Sequence, residues 1–285
     1  MGLPSQFLTY PKDRLANLAF RKNLRDWIGT SRARQAMVKA HCAKHLLWFI
    51  NVYGWIAEQR KDAHGGVKIL FLTYDYQDEA LARIEAALGL KHIVGDKSRD
   101  MGFTWMVLFV FLHRWLFGDY ESFGVASRTQ DYVDKEVSTD SLFWKLMFAF
   151  ESLPPWFRPR KWKKNKGQLI NYERVNNITG YATSKDIARG GRRLAILLDE
   201  LAAYHYGHGK GCWNACAATA TNCIVAVSTH KGTTGAFAEA CRSAKNHPEV
   251  FEHIVLRWWQ DPRKADGLCI VDPAKPAPGM SEWTC

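Results

Sequence analysis

The chain has 285 residues, 47% of them hydrophobic and 24% charged, which is enough apolar material to bury a core and excludes a disordered polymer. Lys and Arg number 39 against 28 Asp and Glu, a net charge of +11, so the surface suits a polyanion: nucleic acid, a nucleotide or an anionic membrane surface. No apolar run reaches the ~20 residues of a membrane span. The first residues read as neither a secretory signal nor a myristoylation motif, and the 7 scattered Cys favour a reducing compartment over a disulfide framework.

Residues 1–64 are expected to be helical. Leu15, Leu18, Ala19, Leu24, Trp27 and Ile28 recur near helical spacing, and a second helical stretch is expected over Ala33–Arg60, ending near Gly65-Gly66. From Val67 the pattern changes. Val67–Thr73 reads as a strand, Asp78–Leu88 as a short helix with Gly89 as its C-cap, and His92–Val94 as a brief strand. A long apolar helix opens at Phe103 or Thr104. Phe123–Ala126, Leu194–Leu198, Cys223–Val227 and Phe251–Trp258 read as further strands. This alternation predicts an α/β fold: a mostly parallel central sheet flanked by helices, behind a helical N-terminal extension. Purely apolar strands such as Leu194–Leu198 suit the sheet's centre. Polar residues follow the carboxyl ends of three strands, the edge where open α/β sheets bind ligands. Asp261–Cys285, rich in Pro and Gly, reads as a linker. The expected organisation is a helical region 1–64, a core 65–260 and a linker 261–285.

Two short stretches carry chemistry. Lys97-Ser98-Arg99-Asp100-Met101-Gly102-Phe103-Thr104 lies between a strand and a helix, the context of the phosphate loop G-x-x-x-x-G-K-[ST]. Gly102 and Thr104 match; Lys97 replaces the first Gly and Phe103 replaces the Lys. Backbone N–H groups and a helix N-terminus hold phosphate, Thr104 can ligate Mg²⁺, and Lys97 or Arg99 can supply the missing positive charge. Further on, Leu194–Leu198 ends on Asp199-Glu200, a Walker-B-like pattern. Asp199 there would hold Mg²⁺ and Glu200 would orient and deprotonate a water. A strand ending on two solvated acids is common, and so is a Gly-containing turn; the ordered combination in an α/β chain is what gives specificity.

With these motifs the sequence resembles the large terminase subunits of tailed phages, ATPases that drive DNA into procapsids. Ser98–Thr104 resembles their variant phosphate loop, with Lys97 at its start; Tyr74-Asp75-Tyr76-Gln77 resembles their adenine-reading segment, whose Gln bonds the base. Leu194–Glu200 resembles their Walker B, and Val227-Ser228-Thr229 their coupling motif. The resemblance covers roughly residues 45–260. It implies a P-loop NTPase core of the ASCE type, close to RecA-like ATPases, with ATP and Mg²⁺ as cofactors. It implies a homo-oligomeric ring around double-stranded DNA, with portal protein and small terminase subunit as partners, in the host cytoplasm and transiently at the procapsid. It also implies an Arg lent to a neighbour's site: Arg189, with Arg192 and Arg193 as rivals. Two departures stand out. Phe103 replaces the loop Lys, so hydrolysis depends on Lys97 or Arg99. The clustered Asp residues of the family's C-terminal nuclease are not seen after Trp259, so the ATPase part alone is expected, without nuclease activity. The competing readings are a helicase-like nucleic-acid-dependent ATPase and a non-hydrolysing basic nucleic-acid-binding module with a degenerate nucleotide site.

The remaining features are weaker. Arg158, Arg160, Lys161, Lys163, Lys164 and Lys166 surround Trp162 in a run expected to be a loop that contacts DNA phosphates. Arg128, past a strand end, could touch nucleotide or DNA, or be an ordinary surface residue. Gly207–Gly211 reads as a mobile loop. Cys212, Cys216 and Cys223 with His205 and His208 lack the matched second pair of a zinc site. His41, Cys42 and His45 read as incidental on a helix. Trp105–Leu112 and Trp258-Trp259 read as core packing.

Overall fold

The computed structural model describes residues 2–58, 68–181, 191–205, 208–218 and 223–266. Helices α1 (Arg14–Ile28), α2 (Arg32–Lys44) and α3 (Leu46–Tyr53) come first. The Asp13 side chain accepts from the Ala16 N–H to cap α1, and Ser31 caps α2 in the same way. The single helix expected over Ala33–Arg60 is broken at His45, whose backbone (φ −133°, ψ 83°) leaves the helical region. The chain is already extended at β1 (Trp55–Ala57), which pairs antiparallel with β2 (Lys68–Leu70). That ribbon is all that forms of the expected Val67–Thr73 strand, and it stands apart from the central sheet.

The core follows as α4 (Asp75–Ala87), β3 (His92–Lys97), α5 (Phe103–Phe117), β4 (Ser122–Ala126), α6 (Gln130–Val133), α7 (Leu142–Glu151), β5 (Trp162–Asn165), β6 (Gln168–Asn171), β7 (Asn176–Tyr181), β8 (Ala195–Asp199), α8 (His208–Ala218), β9 (Ile224–Ser228), α9 (Ala236–Asn246), β10 (Phe251–Leu256) and α10 (Pro262–Ala265). The central sheet has 8 strands in the order β10-β3-β9-β8-β4-β7-β6-β5. From β10 to β7 every neighbouring pair is parallel; β6 and β5 close the edge as an antiparallel hairpin. The fold is thus the expected α/β one. β3 and β8 are not neighbours, because β9 lies between them.

Strand periodicity sorts the side chains onto two faces. Ala195 and Leu197 of β8, with Ile93, Val225 and Val227, belong to the same core as α5 and the first three helices. Ile196 and Leu198, with Val94, Ile224 and Ala226, pack against α8 and α9. Helix α5 buries Phe103, Met106 through His113, Trp115 and Leu116. That explains an apolar run too short for a membrane; among the described residues no helix is long and apolar enough to cross one. The N-terminal helices share this core, with Val38, Cys42, Trp48 and Phe49 in the same cluster as α5.

Candidate active site

At the carboxyl edge of the sheet, β3 turns into α5 through residues 98–102. The Ser98 N–H donates to the Leu256 carbonyl at 2.8 Å, tying the turn to β10. Gly102, at φ 77°, is the N-cap of α5, and a Cβ there would lie 2.8 Å from the Gln77 amide nitrogen. The backbone conformation and the close approach both call for glycine. Gln77 is 4% exposed; its amide donates to the Met101 carbonyl at 3.1 Å, and its oxygen accepts from the Tyr74 N–H at 3.1 Å. It therefore props the turn from behind, and both of its polar ends are engaged inside the protein. Asn51 of α3 fixes the approach to this segment, its amide donating to Thr73 Oγ1 at 2.8 Å and its oxygen accepting the Thr73 N–H at 3.0 Å.

Phe103 is buried, and its ring lies so close over Gly95 of β3 that a Cβ there would come within 2.5 Å of it. Position 103 thus belongs to the core and does not reach the face of the turn. Arg99 is exposed, and its carbonyl accepts from the Lys264 ammonium of α10. Arg263, next to it, lies over the Tyr74 ring at 5.5 Å.

Lys97, the last residue of β3, points to the same face as Gly95. Its side chain is 8% exposed, and its ammonium donates to Glu200 Oε1 at 3.0 Å. The Thr104 hydroxyl donates to Asp199 Oδ1 at 2.7 Å. The turn and the acid pair therefore form one site. Glu200 sits at φ 54°, in the left-handed region, which swings its side chain off the line of β8. Its other oxygen accepts from Ser228 Oγ at 3.3 Å, and Ser228 Oγ accepts the Ala202 N–H at 3.2 Å. Thr229, the next residue, is half-buried beside them. Burial pushes the Asp199 carboxyl up; Lys145 and the Thr104 hydroxyl pull it down, and Glu200 pushes it further up. A hydroxyl and a buried carboxylate with converging oxygens are hard donors that fit Mg²⁺.

Lys145, on α7, is a contributor that the sequence reading missed. It comes from a different element, and nothing in its local sequence marks it. Asp96 of β3 points to the opposite face from Lys97, 3.1 Å from the His230 Nε2 and 3.6 Å from the Arg257 guanidinium.

The other expected residues fall as follows. Arg189 lies outside the described residues. Arg193 is committed, its Nε donating to the Tyr181 hydroxyl at 2.9 Å, while Arg192 is exposed. Arg128 lies 3.9 Å over the Tyr132 ring. The basic run is not simply a loop, since residues 162–165 are edge strand β5. Lys164 there is held by Asp134 at 2.8 Å, whereas Lys161, Lys163 and Lys166 are exposed. Residues 208–211 of the expected Gly-rich loop are the start of α8, on which Cys212 and Cys216 face the core. Trp258 and Trp259 are not core residues: they form a short 3₁₀ turn and are 43% and 55% exposed.

The β3–turn–α5 unit, with β9 set between β3 and the acid-bearing β8, has the arrangement of a P-loop NTPase fold with an ASCE-type sheet. The structure is similar to the large terminase of bacteriophage HK97 (TM-score 0.55, 11% identity), over 75% of this chain and 43% of that one. It is also similar to the large terminase ATPase domain of Thermus phage P74-26 in a mutant form (TM-score 0.51, 15% identity), over 68% of this chain and 85% of that one. The fold is therefore that of the ATPase domain of phage large terminases, and the chain matches less than half the length of the HK97 protein. No family model matches the sequence, and no curated protein matches it.

Proposed function

We propose that the protein is the ATP-hydrolysing motor part of a viral DNA-packaging terminase large subunit, moving double-stranded DNA into a procapsid. One observation carries the reading: Thr104 meets Asp199 at 2.7 Å while Lys97 meets Glu200 at 3.0 Å, so a phosphate-binding turn faces an acid pair. Backbone N–H groups of residues 98–104 and the N-terminus of α5 hold the phosphates. Thr104 and Asp199 would hold Mg²⁺, which would supply charge neutralisation on a bound triphosphate. Glu200 orients the attacking water and takes its proton. Lys97 is the cation of the loop, with Arg99 beside it. Gln77 and Tyr74 border the place for the base. Ser228 and Thr229 couple the site to β9, since Ser228 already holds the Glu200 carboxylate. The likeness in fold supports assembly into a homo-oligomeric ring on DNA, with Arg189 reaching a neighbour's site and a portal protein and small terminase subunit as partners in the host cytoplasm. Burial of Phe103 in the core, with Lys97 at the acid pair, supports a working site over a decayed one. Hydrolysis of ATP, without nuclease activity, is the expected chemistry of residues 65–260.

The test is Mg²⁺-dependent ATP hydrolysis with and without duplex DNA. Glu200→Gln is expected to lower turnover by about 10²–10⁴-fold with nucleotide binding retained, and Lys97→Ala to weaken both. Mixing Arg189→Ala with Glu200→Gln protein should restore part of the activity. Wild-type turnover in Glu200→Gln, or no hydrolysis by the wild type at concentrations that assemble it, would sink the reading.

A further inference from the structure

A second cluster of cations lies far from this site. On α2, Arg32, Gln35, Ala36 and Lys39 share one face at helical spacing. Facing them is the segment after α7, where Pro155, Trp156, Arg158, Pro159 and Arg160 form the other wall of a groove of about 930 Å³; Glu173 closes it. Phe157, inside that wall, meets the ring of Phe117 at 6.2 Å, and Phe117 is the last residue of α5. The nucleotide turn is at the first residue of α5. The two sites are therefore about 20 Å apart, the length of that helix at ~1.5 Å per residue.

The groove has charge without partners. Among the described residues, the side chains of Arg32, Lys39 and Arg160 make no ion pair and no hydrogen bond. Arg158 spends one guanidinium nitrogen on the Glu151 carbonyl at 2.9 Å, which leaves its Nε buried and unpartnered. Glu173, the one acid in the lining, already accepts the Arg160 backbone N–H at 2.8 Å. The Lys39 ammonium is pushed down by burial; Glu173 resists this, and Arg174 and Arg160 add to it as neighbouring like charges. Holding so many cations around a cleft costs free energy that an anion would recover.

We propose that this groove binds the phosphodiester backbone of duplex DNA. The cations come from two separate elements and line an open cleft, which suits several phosphates in a row better than one small anion. Arg supplies fork-shaped donors for phosphate oxygens, and Trp156 and the prolines supply an apolar wall for sugar edges. The choice of DNA among polyanions rests on the packaging reading; the site does not.

The experiment measures binding of the full chain to a labelled duplex by fluorescence anisotropy across a salt series. Arg32→Gln, Lys39→Gln and Arg160→Gln are combined, leaving Arg158 in place because it bonds the backbone. Each lost phosphate contact should reduce the slope of log K against log salt by about 0.9, so the slope is expected to fall by roughly 2.7, with at least a tenfold loss of affinity at low salt. A control triple, Lys161→Gln, Lys163→Gln and Lys166→Gln, removes the same charge and should lose clearly less. Thermal melts verify that both triples are folded. Unchanged slope and affinity in the groove triple, an equal loss in the control, displacement by poly-glutamate as readily as by unlabelled duplex, or no duplex binding by the wild type would each overturn the proposal. Basal ATP hydrolysis is expected to be unchanged in the groove triple. A wild type without hydrolysis whose DNA binding still depends on the groove would sink the motor reading and leave this site standing.

Discussion

His113 is among the side chains whose charge the fold controls most strongly. It lies within α5, 4% exposed, with its Nε2 2.8 Å from the Cys42 carbonyl and its ring against Phe49 and Phe117. Burial pushes its pKa down to about 4; the Cys42 carbonyl opposes this and Arg114 adds to it. In the unfolded chain the ring takes a proton near pH 6.5, so between about 6.5 and 4 the unfolded state binds more protons than the native one. The stabilising contribution is complete above that window and is lost as pH falls through it, by about 3 kcal/mol in all. His113→Gln, which keeps a donor for Cys42, should flatten the dependence of urea-unfolding free energy on pH over that window. A slope as steep as the wild type's would place the titration elsewhere. Phe103 illustrates how little an aligned position says about direction. By pattern it stands where a lysine holds phosphate; its ring in fact packs on Gly95, and Lys97 reaches the acid pair from the end of β3.

The turn between β3 and α5 is set by its neighbours more than by its own residues. Gln77 supports it from α4, Leu256 from β10 and Lys264 from α10. Gly102→Ala would add a Cβ at φ 77° and 2.8 Å from the Gln77 amide. It is expected to cost about 1–2 kcal/mol of stability and to push the turn forward. A fluorescent ATP analogue should show weakened affinity; unchanged affinity would mean that the turn does not cradle the phosphates. What was legible here follows from burial. β3, β4, β8 and β9 are covered on both faces, so they stand out as apolar runs, and the polar residues that follow them mark the site. β5, β6 and β7 were not legible, because Trp-Lys-Lys-Asn and Asn-Asn-Ile-Thr-Gly-Tyr carry no apolar alternation; pairing with β4 and with each other holds them. The break at His45 was hidden because apolar residues continue across it. Lys145 was hidden because only tertiary packing brings α7 towards Asp199.

At the scale of the whole molecule, α5 joins the two sites proposed above, the nucleotide turn at its first residue and the basic groove beyond its last. Ligation at the first should be measurable as global stability. With a non-hydrolysable ATP analogue and Mg²⁺ at 100 times the dissociation constant, unfolding should cost about 2.7 kcal/mol more. Asp199→Asn is expected to remove the Mg²⁺-dependent part of that gain in denaturant titrations; a gain equally large in this variant would exclude Asp199 from holding the ion. The pairing of Lys97 with Glu200 has a consequence of its own. Lys97 already has an acid partner in Glu200, while the buried Asp199 has the Thr104 hydroxyl against it and the charges of Lys145 and Lys97 to offset its burial. A ligand bringing negative charge alone would have to draw Lys97 from Glu200 and would lie beside the Asp199 carboxyl. One that arrives with its own divalent counterion would relieve both penalties, so the site as proposed would favour a metal-bound triphosphate over the free one.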